Sequence, residues 1–378
     1  MEEKKDDLKR DTIRKRDRID NELKELESEL SKTKYNKRTQ FHIGLVKAKI
    51  AKLKEKRQGA SKGQKGTGFN VRKTGDGTVV LLGFPSVGKS TLLNALTNAK
   101  SKIASYAFTT LTCIPGLMEY KHAKIQILDV PGIVEGAAAG TGRGREVLQV
   151  LRSADLALII VDVFSPEHYK VILKEVYDSQ IRLNQKKPNV KITKSAKGGI
   201  LIGKTVKLEM SDESIRSIMR EFRLNNAEIL IREPINEDQL IDIIEGNKHY
   251  IPSVVVVNKT DLAAPSDIER LKKLVTPDLY ISAETGQGIV ELREIVFQKL
   301  DLMRIYLKEV NKPADMEVPM IIFRKSTLRN VCEKLHRDFI EKFKFARIWG
   351  KSVRFKGMKV LKLDHVLEDE DVVELHLN

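Results

Sequence analysis

Between residues 78 and 302, short apolar runs (TVVLLG, KIQILDV, LALIIVDV and SVVVVNKTD) alternate with stretches whose apolar residues recur every three or four positions. Near-continuous apolar runs of this length predict strands buried on both faces, in a mainly parallel sheet covered by helices. The first run leads through a glycine-rich turn, FPSVGK, into STLLNALTNA, a strand-turn-helix signature. Upstream, Leu8, Ile13, Ile19, Leu23, Leu26 and Leu30 stand at near-helical intervals among charges, and FHIGLVKAKIAKLKEK (41–56) reads as a second helix. A helical hairpin over 1–60 is expected. The Gly/Lys-rich segment that follows suits a linker over 61–77.

The sheet region, 78–302, is interrupted. The interval from Asp162 to Asn258 far exceeds the roughly 30 residues of a βαβ unit. Its surplus has strand-like and helix-like pieces of its own (GGILIGKTVKLEM, DESIRSIMREF, AEILIR), so an α+β insert is expected within 167–247. After residue 303 the pattern restarts as a small mixed β/α module, 303–378, in which the single tryptophan, Trp349, is expected to pack in the core rather than serve as a base-stacking platform.

Composition narrows the class. The 378 residues are 41% hydrophobic, enough for several cores. The first residues, MEEKKDDLKR, contain no apolar segment, and the longest apolar runs are strand-sized. Only Cys113 and Cys332 are present, without metal-ligand spacing, and His122, His168, His249 and His336 form no metal or nucleophile pattern. A cytoplasmic monomer with no membrane association is the expectation. The net charge of +16 is unevenly spread. Residues 31–73 hold 14 Lys/Arg against Glu55 alone, 182–197 hold six with no acid, and 324–362 hold 13 against three acids. Clustered positive charge favours a polyanion such as nucleic acid, the alternative being solvated helix faces. For 324–362 the expected partner is RNA phosphate, with a protein surface as the alternative. No sequence signature of a base-reading RNA module is present, so contacts to the RNA backbone are expected to dominate.

Four loops carry candidate chemistry. GFPSVGKS, from Gly83 to Ser90, is a phosphate loop placed between strand and helix, with Phe84, Pro85, Ser86, Val87 and Gly88 forming its wrap and Thr91 following. Its backbone N–H groups and the helix N-terminus suit phosphate, Lys89 suits the β/γ-phosphates and Ser90 suits Mg²⁺. Asp129 closes an apolar strand and is followed by Val130, Pro131 and Gly132. It is expected to hold the magnesium shell through water, while the Gly132 N–H meets the γ-phosphate. NKTD offers Asn258 as a brace, the Lys259 stem over one base face, and the Asp261 carboxylate as acceptor from N1–H and the exocyclic amine of guanine. Paired hydrogen bonds of this kind can discriminate by about 10⁴–10⁵. Ser282 and Ala283 in SAETG are expected to complete the base pocket. In SYAFTTLTCIPG, with Phe108 and Thr109 beside it, Thr110 is the preferred magnesium-binding hydroxyl, Thr109 and Thr112 being rivals.

These motifs, in this order, resemble the translation-factor-class GTPases of the Obg superfamily. FTTLTCIPG, DVPGIVEGAAAGTGRGREVL and the split G domain are similar, more closely, to the developmentally regulated GTP-binding proteins. The resemblance spans essentially the whole chain. It implies a Ras-like P-loop G domain, an N-terminal helix-turn-helix, an insert like the second domain of ribosomal protein S5, and a C-terminal TGS module of β-grasp fold. It also implies Thr110 as the magnesium threonine, GTP as substrate and GDP as product. The partners implied are the ribosome or its RNA and often a dedicated regulatory protein.

Ile133 departs from the many small GTPases that place glutamine after DxxG to orient water. The resemblance implies membership of the group with an apolar residue there, whose accelerating group comes from elsewhere. Arg143 and Arg145 are candidates as internal fingers, although pairing with acids or RNA phosphate is the stronger reading. Potassium is another candidate activator, but Ser86 stands where related potassium-stimulated enzymes carry asparagine. The alternatives are an RNA- or protein-binding scaffold with guanine nucleotide as mainly a structural ligand, and an ATPase, against which Asp261 argues. An apolar side chain cannot orient water by hydrogen bonding, so Ile133→Ala is expected to retain most hydrolysis in a phosphate-release assay. A fall of about a hundredfold, the scale of a lost general base, contradicts that reading.

Overall fold

A computed structural model of the chain describes residues 2–36, 39–59, 75–97, 114–129 and 150–378. The chain divides into two compact units, residues 1–68 with 185–250 and residues 69–184 with 251–378.

The first unit begins with α1 (Glu2–Lys32) and α2 (Gln40–Gly59). Ile19, Leu23, Leu26 and Leu30 of α1 form a stripe that meets Val46, Ile50 and Leu53 of α2. The second unit then supplies β1 (Gly77–Leu82), α3 (Lys89–Leu96), β2 (Ile114–Tyr120), β3 (Ala123–Asp129), β4 (Leu156–Asp162), α4 (His168–Asp178) and β5 (Ile181–Leu183). Back in the first unit lie β6 (Val190–Lys194), β7 (Ile200–Lys204), α5 (Asp212–Glu221), β8 (Ala227–Ile231) and α6 (Glu237–Glu245), with the short β9 (His249–Ile251) after them. Strand β8 lies between β6 and β7. The opposite side of α2 packs here: Ala48 is fully buried in a cluster with Ile215, Ile218, Met219 and Leu240. A side chain at Gly44 would crowd the Ile218 Cδ1, with Cβ only 3.2 Å away. Ion pairs Lys47–Asp238 at 2.7 Å and Lys52–Glu221 at 3.0 Å flank that seam.

The second unit continues with β10 (Ser253–Asn258), α7 (Pro265–Lys272), β11 (Leu279–Tyr280) and α8 (Ile289–Lys299). Its six-stranded sheet runs β11-β10-β4-β1-β3-β2, parallel throughout except that β2 returns antiparallel along β3. Alternate residues serve opposite cores, as the pleat requires. Val80, Leu82, Ile159, Val161, Val255 and Val257 pack beneath α4 through Ile172 and Val176. Val79, Leu81, Leu158, Ile160, Val254 and Val256 pack on the other side, against Leu92 and Leu96 of α3 and Leu292 and Val296 of α8. Because α4 belongs to this sandwich, the other unit takes up the chain only from Gln185.

The C-terminal module comprises β12 (Leu302–Leu307), β13 (Met320–Phe323), α9 (Leu328–Leu335), α10 (Asp338–Glu341), β14 (Phe343–Trp349), β15 (Met358–Val360) and β16 (Asp371–Leu377). Its sheet order is β13-β12-β16-β14-β15, and one face packs on Leu328 and Val331 of α9. Leu302 and Ile321 join the core under the main sheet, and Lys334 pairs with Asp76 at 2.6 Å. Trp349 is not in the module's core, contrary to the expectation from sequence. The residue before it, Ile348, points into that core, so the pleat turns the indole to the sheet's other face, next to Gly357. No helix among the described residues is long and apolar enough to cross a membrane.

Glu175 of α4 has a buried Oε2 with no hydrogen-bond partner among the described residues. Burial, helped by nearby Asp178, raises its pKa from 4.5 to about 7. The folded state therefore holds the proton more tightly than the unfolded chain, so this group's contribution to stability falls as pH rises from about 4.5 to about 7. Glu175→Gln is expected to raise the melting temperature at pH 8 and leave it unchanged near pH 4.5. An equal effect at both pH values contradicts the assignment.

Candidate functional site

Strands β1, β3, β4 and β10 run parallel, so their C-terminal ends share one rim, where ligands of open α/β sheets gather. The chain leaving β1 forms residues 83–88 before α3 begins at Lys89. Two glycines make that turn possible. A Cβ on Gly83 would lie 2.9 Å from the Ile160 carbonyl oxygen, and Gly88 adopts φ 92° with its Cα against the Asn258 amide, where a Cβ would approach Nδ2 to 2.4 Å. Val87 is buried and anchors the turn, while Pro85, Ser86, Ser90 and Thr91 are exposed. Ser86 also adopts positive φ, 61°.

Lys89 curls back so that its ammonium donates to the carbonyls of Gly83 at 3.0 Å and Phe84 at 2.9 Å. Its pKa lies below the ordinary lysine value because burial disfavours the charge, while the Asp129 carboxylate pulls the other way. An anion of higher charge in the loop would compete for this ammonium with two neutral carbonyls. Asp129 itself is buried at the end of β3. Its Oδ2 accepts from the Ser90 hydroxyl at 3.0 Å, whereas Oδ1 is buried with no partner among the described residues. A buried carboxylate oxygen left orphaned beside a serine hydroxyl is a donor set that fits a hydrated hard cation such as Mg²⁺.

Asn258 at the end of β10 joins two loops. Its Nδ2 donates to the Val87 carbonyl at 2.8 Å and its Oδ1 accepts from the Ala283 N–H at 2.9 Å. Lys259 follows with positive φ, 66°, and its ammonium pairs with the Asp162 carboxylate at 2.6 Å. The Thr260 hydroxyl donates to the Ile281 carbonyl at 2.9 Å, and the fully buried Ser282 accepts from the Thr285 N–H at 3.2 Å. These bonds close the 282–286 turn beside Asp261, which is exposed. The structure thus brings together the phosphate loop, Asp129, Asn258, Lys259, Asp261, Ser282 and Ala283. Phe108, Thr109, Thr110, Val130, Pro131 and Gly132 lie outside the described residues, as do Ile133, Arg143 and Arg145.

Residues 78–194 match the family model described as "50S ribosome-binding GTPase", 197–302 the C-terminal region of that domain, and 303–377 the TGS domain. A GTP-binding protein of Methanocaldococcus jannaschii is 48% identical over 94% of this chain and 92% of its own. Developmentally-regulated GTP-binding protein 1 of Xenopus laevis is 42% identical over 93% of this chain and 97% of its own. Human developmentally-regulated GTP-binding protein 2 is 41% identical over 93% of this chain and 98% of its own. The chain belongs to the developmentally regulated GTP-binding protein family. Aquifex aeolicus Era bound to GDP and aluminium fluoride overlaps more loosely, at 22% identity, 74% of each chain and TM-score 0.33.

As a member of this family the chain is a GTP-binding protein of the P-loop GTPase class, built from a G domain and a C-terminal TGS domain. Two features of its site were missed in the sequence. Asp162, the partner of Lys259, closes LALIIVD just as Asp129 closes KIQILD, so the repeated pattern was the available signal. His168 stacks on Phe84 of the phosphate loop, with ring centroids 3.8 Å apart, and no local pattern announced that pairing. Asp261 makes the sharpest test, since it is exposed and its replacement spares the core. Asp261→Asn is expected to weaken GDP binding by about a hundredfold or more and to favour xanthine nucleotide, because an amide donates where the carboxylate accepts. Unchanged guanine preference in a competition assay contradicts its placement against the base.

Proposed function

We propose that this GTP-binding protein hydrolyses GTP to GDP and phosphate with slow intrinsic turnover and works as a nucleotide switch on ribosomes or translation complexes. The observation that carries the reading is the Asn258 bridge, which holds a phosphate-wrapping turn and a base-side turn in fixed relation. In this reading residues 83–91 wrap the phosphates, Lys89 exchanges its carbonyl partners for β/γ-phosphate oxygens, and Asp261 with Ser282 and Ala283 selects guanine. Ser90, Thr110 and Asp129, the last through water, hold Mg²⁺, which would supply charge neutralisation at the β/γ-phosphates. Gly132 offers its N–H to the γ-phosphate. The loop bearing Thr110 orders with triphosphate and is released after hydrolysis.

The ribosome enters from the matched family model's description and from the clustered positive charge at 31–73, 182–197 and 324–362. A dedicated regulatory protein and potassium are the candidate accelerators in place of a side chain at Ile133. Multiple-turnover phosphate release, abolished by Lys89→Ala and compared in KCl and NaCl, tests the chemistry. Tight GDP binding without turnover favours the scaffold reading instead. Cosedimentation with ribosomal particles is expected to be stronger with a GTP analogue than with GDP, and indifference to the nucleotide contradicts the switch. If about five RNA phosphates are neutralised, log affinity for RNA falls against log salt with a slope near −3.5 to −4.5, and a flat response contradicts the RNA contact.

A further inference from the structure

One face of the TGS sheet packs on α9. The other is covered at its β13–β12 end, where Leu302 and Ile321 enter the core under the main sheet. Among the described residues it is open over β14 and β15, where Arg347 and Lys359 are exposed. Met303, Ile305, Ala346, Ile348 and Val373 point to α9. The pleat therefore turns their neighbours to the other side in register. Tyr306, Val372 and Trp349 form one row across β12, β16 and β14, and Glu374, Arg347 and Lys359 form the next across β16, β14 and β15. His376 and Phe345 form a third. Arg347 and Lys359 are exposed, and the aromatic residues of these rows are part-exposed.

Each of two aromatic rings on this face carries an amine. The Lys359 ammonium lies 4.2 Å from the Phe345 centroid, and Phe345 in turn stacks on His376 with centroids 4.1 Å apart and planes 15° off parallel. The Lys308 ammonium lies 5.0 Å from the Trp349 centroid. The one acid in these rows, Glu374, is already engaged by Lys308 and by His376. Around them, residues 342–362 contain eight Lys/Arg and no Asp or Glu. The loop joining β14 to β15 adds Phe355, 65% exposed between Arg354 and Lys356.

We propose that the open part of this sheet face is a stacking platform for single-stranded RNA. Positive charge alone would suit any polyanion, including an acidic peptide. Rings paired with amines favour a ligand whose repeating unit has both a flat π face and an anion, which is a nucleotide. A base can take the place of an ammonium on the ring while that ammonium moves to the adjoining phosphate, so both groups keep a partner. A duplex cannot use the surface in this way, because its bases are already stacked on one another. The choice of RNA over DNA rests on the ribosomal reading above, while the stacking itself rests on the geometry. The sequence favours backbone contacts to RNA and a core-packed Trp349 over a stacking one, because the alternation that places Trp349 and Phe345 on the face away from α9 becomes legible only with the strand register.

Trp349 is the only tryptophan, so intrinsic fluorescence reports on this face directly. The full chain is titrated with a uridine oligomer about 12 nucleotides long, within the ~4–16-nucleotide span of comparable single-strand sites. The same sequence as DNA, a duplex RNA and polyglutamate serve as comparison probes. The expected result is saturable quenching of Trp349 by the RNA oligomer, weaker with DNA and absent with duplex and polyglutamate. By anisotropy, Phe345→Leu and Trp349→Leu are each expected to weaken RNA binding by about tenfold, in line with the loss of one stacked base. Should either fail to fold, the exposed pair Arg347→Glu and Lys359→Glu provides the test and is expected to abolish quenching in the intact protein. RNA binding that leaves Trp349 emission unchanged overturns the platform, as does stronger quenching by polyglutamate or by DNA. GTP hydrolysis measured on the same wild-type sample separates the two proposals, because failure to hydrolyse GTP leaves the quenching result standing.

Discussion

The side chain of Asn258 is the point on which the nucleotide site depends. One buried amide donates to Val87 in the phosphate loop and accepts from Ala283 in the base-side turn, so neither loop can shift without breaking a buried hydrogen bond. Leaving a buried donor or acceptor of this kind unsatisfied costs about 1–3 kcal/mol. The approach is possible only because Gly88 has no Cβ and tolerates positive φ. A parallel sheet supplies the rest: it places the ends of β1, β3, β4 and β10 at one rim without any further device.

Around that brace the polar and charged groups are held by contacts within the protein. Lys89 rests on two carbonyls of its own loop, Lys259 on Asp162, and Ser90 on Asp129, whose second oxygen is left free of protein partners among the described residues. In the proposed function these are the contacts that phosphate, base and metal would replace. The stack of His168 on Phe84 ties the start of the phosphate loop to α4, so the turn is supported from the sheet's flank as well as from Asn258.

Much of this was legible in the sequence because it is local. The phosphate loop, the strand-closing aspartate and NKTD are short patterns whose spacing follows from backbone geometry, and the four apolar runs foretold a buried parallel sheet. What the sequence withheld depends on register and on distant packing. Asp162 meets Lys259 across 97 positions, and His168 meets Phe84 across more than 80. Trp349 was misplaced for a related reason. A large aromatic residue in a short strand suggests a core, but the β14 pleat assigns the core side to Ala346 and Ile348 and leaves Phe345, Arg347 and Trp349 on the other. The extent of the inserted unit was similarly hidden, since only packing shows that α4 belongs with the main sheet.

The central claim is that separated loops meet at one rim to hold a guanine nucleotide with magnesium. Calorimetric titration of the full chain with GDP, with and without Mg²⁺ and against ADP as control, tests it most directly. The account predicts a single saturable site for GDP that tightens with Mg²⁺ and no comparable heat with ADP. Absence of GDP binding by the folded chain, or equal binding of ADP, contradicts it.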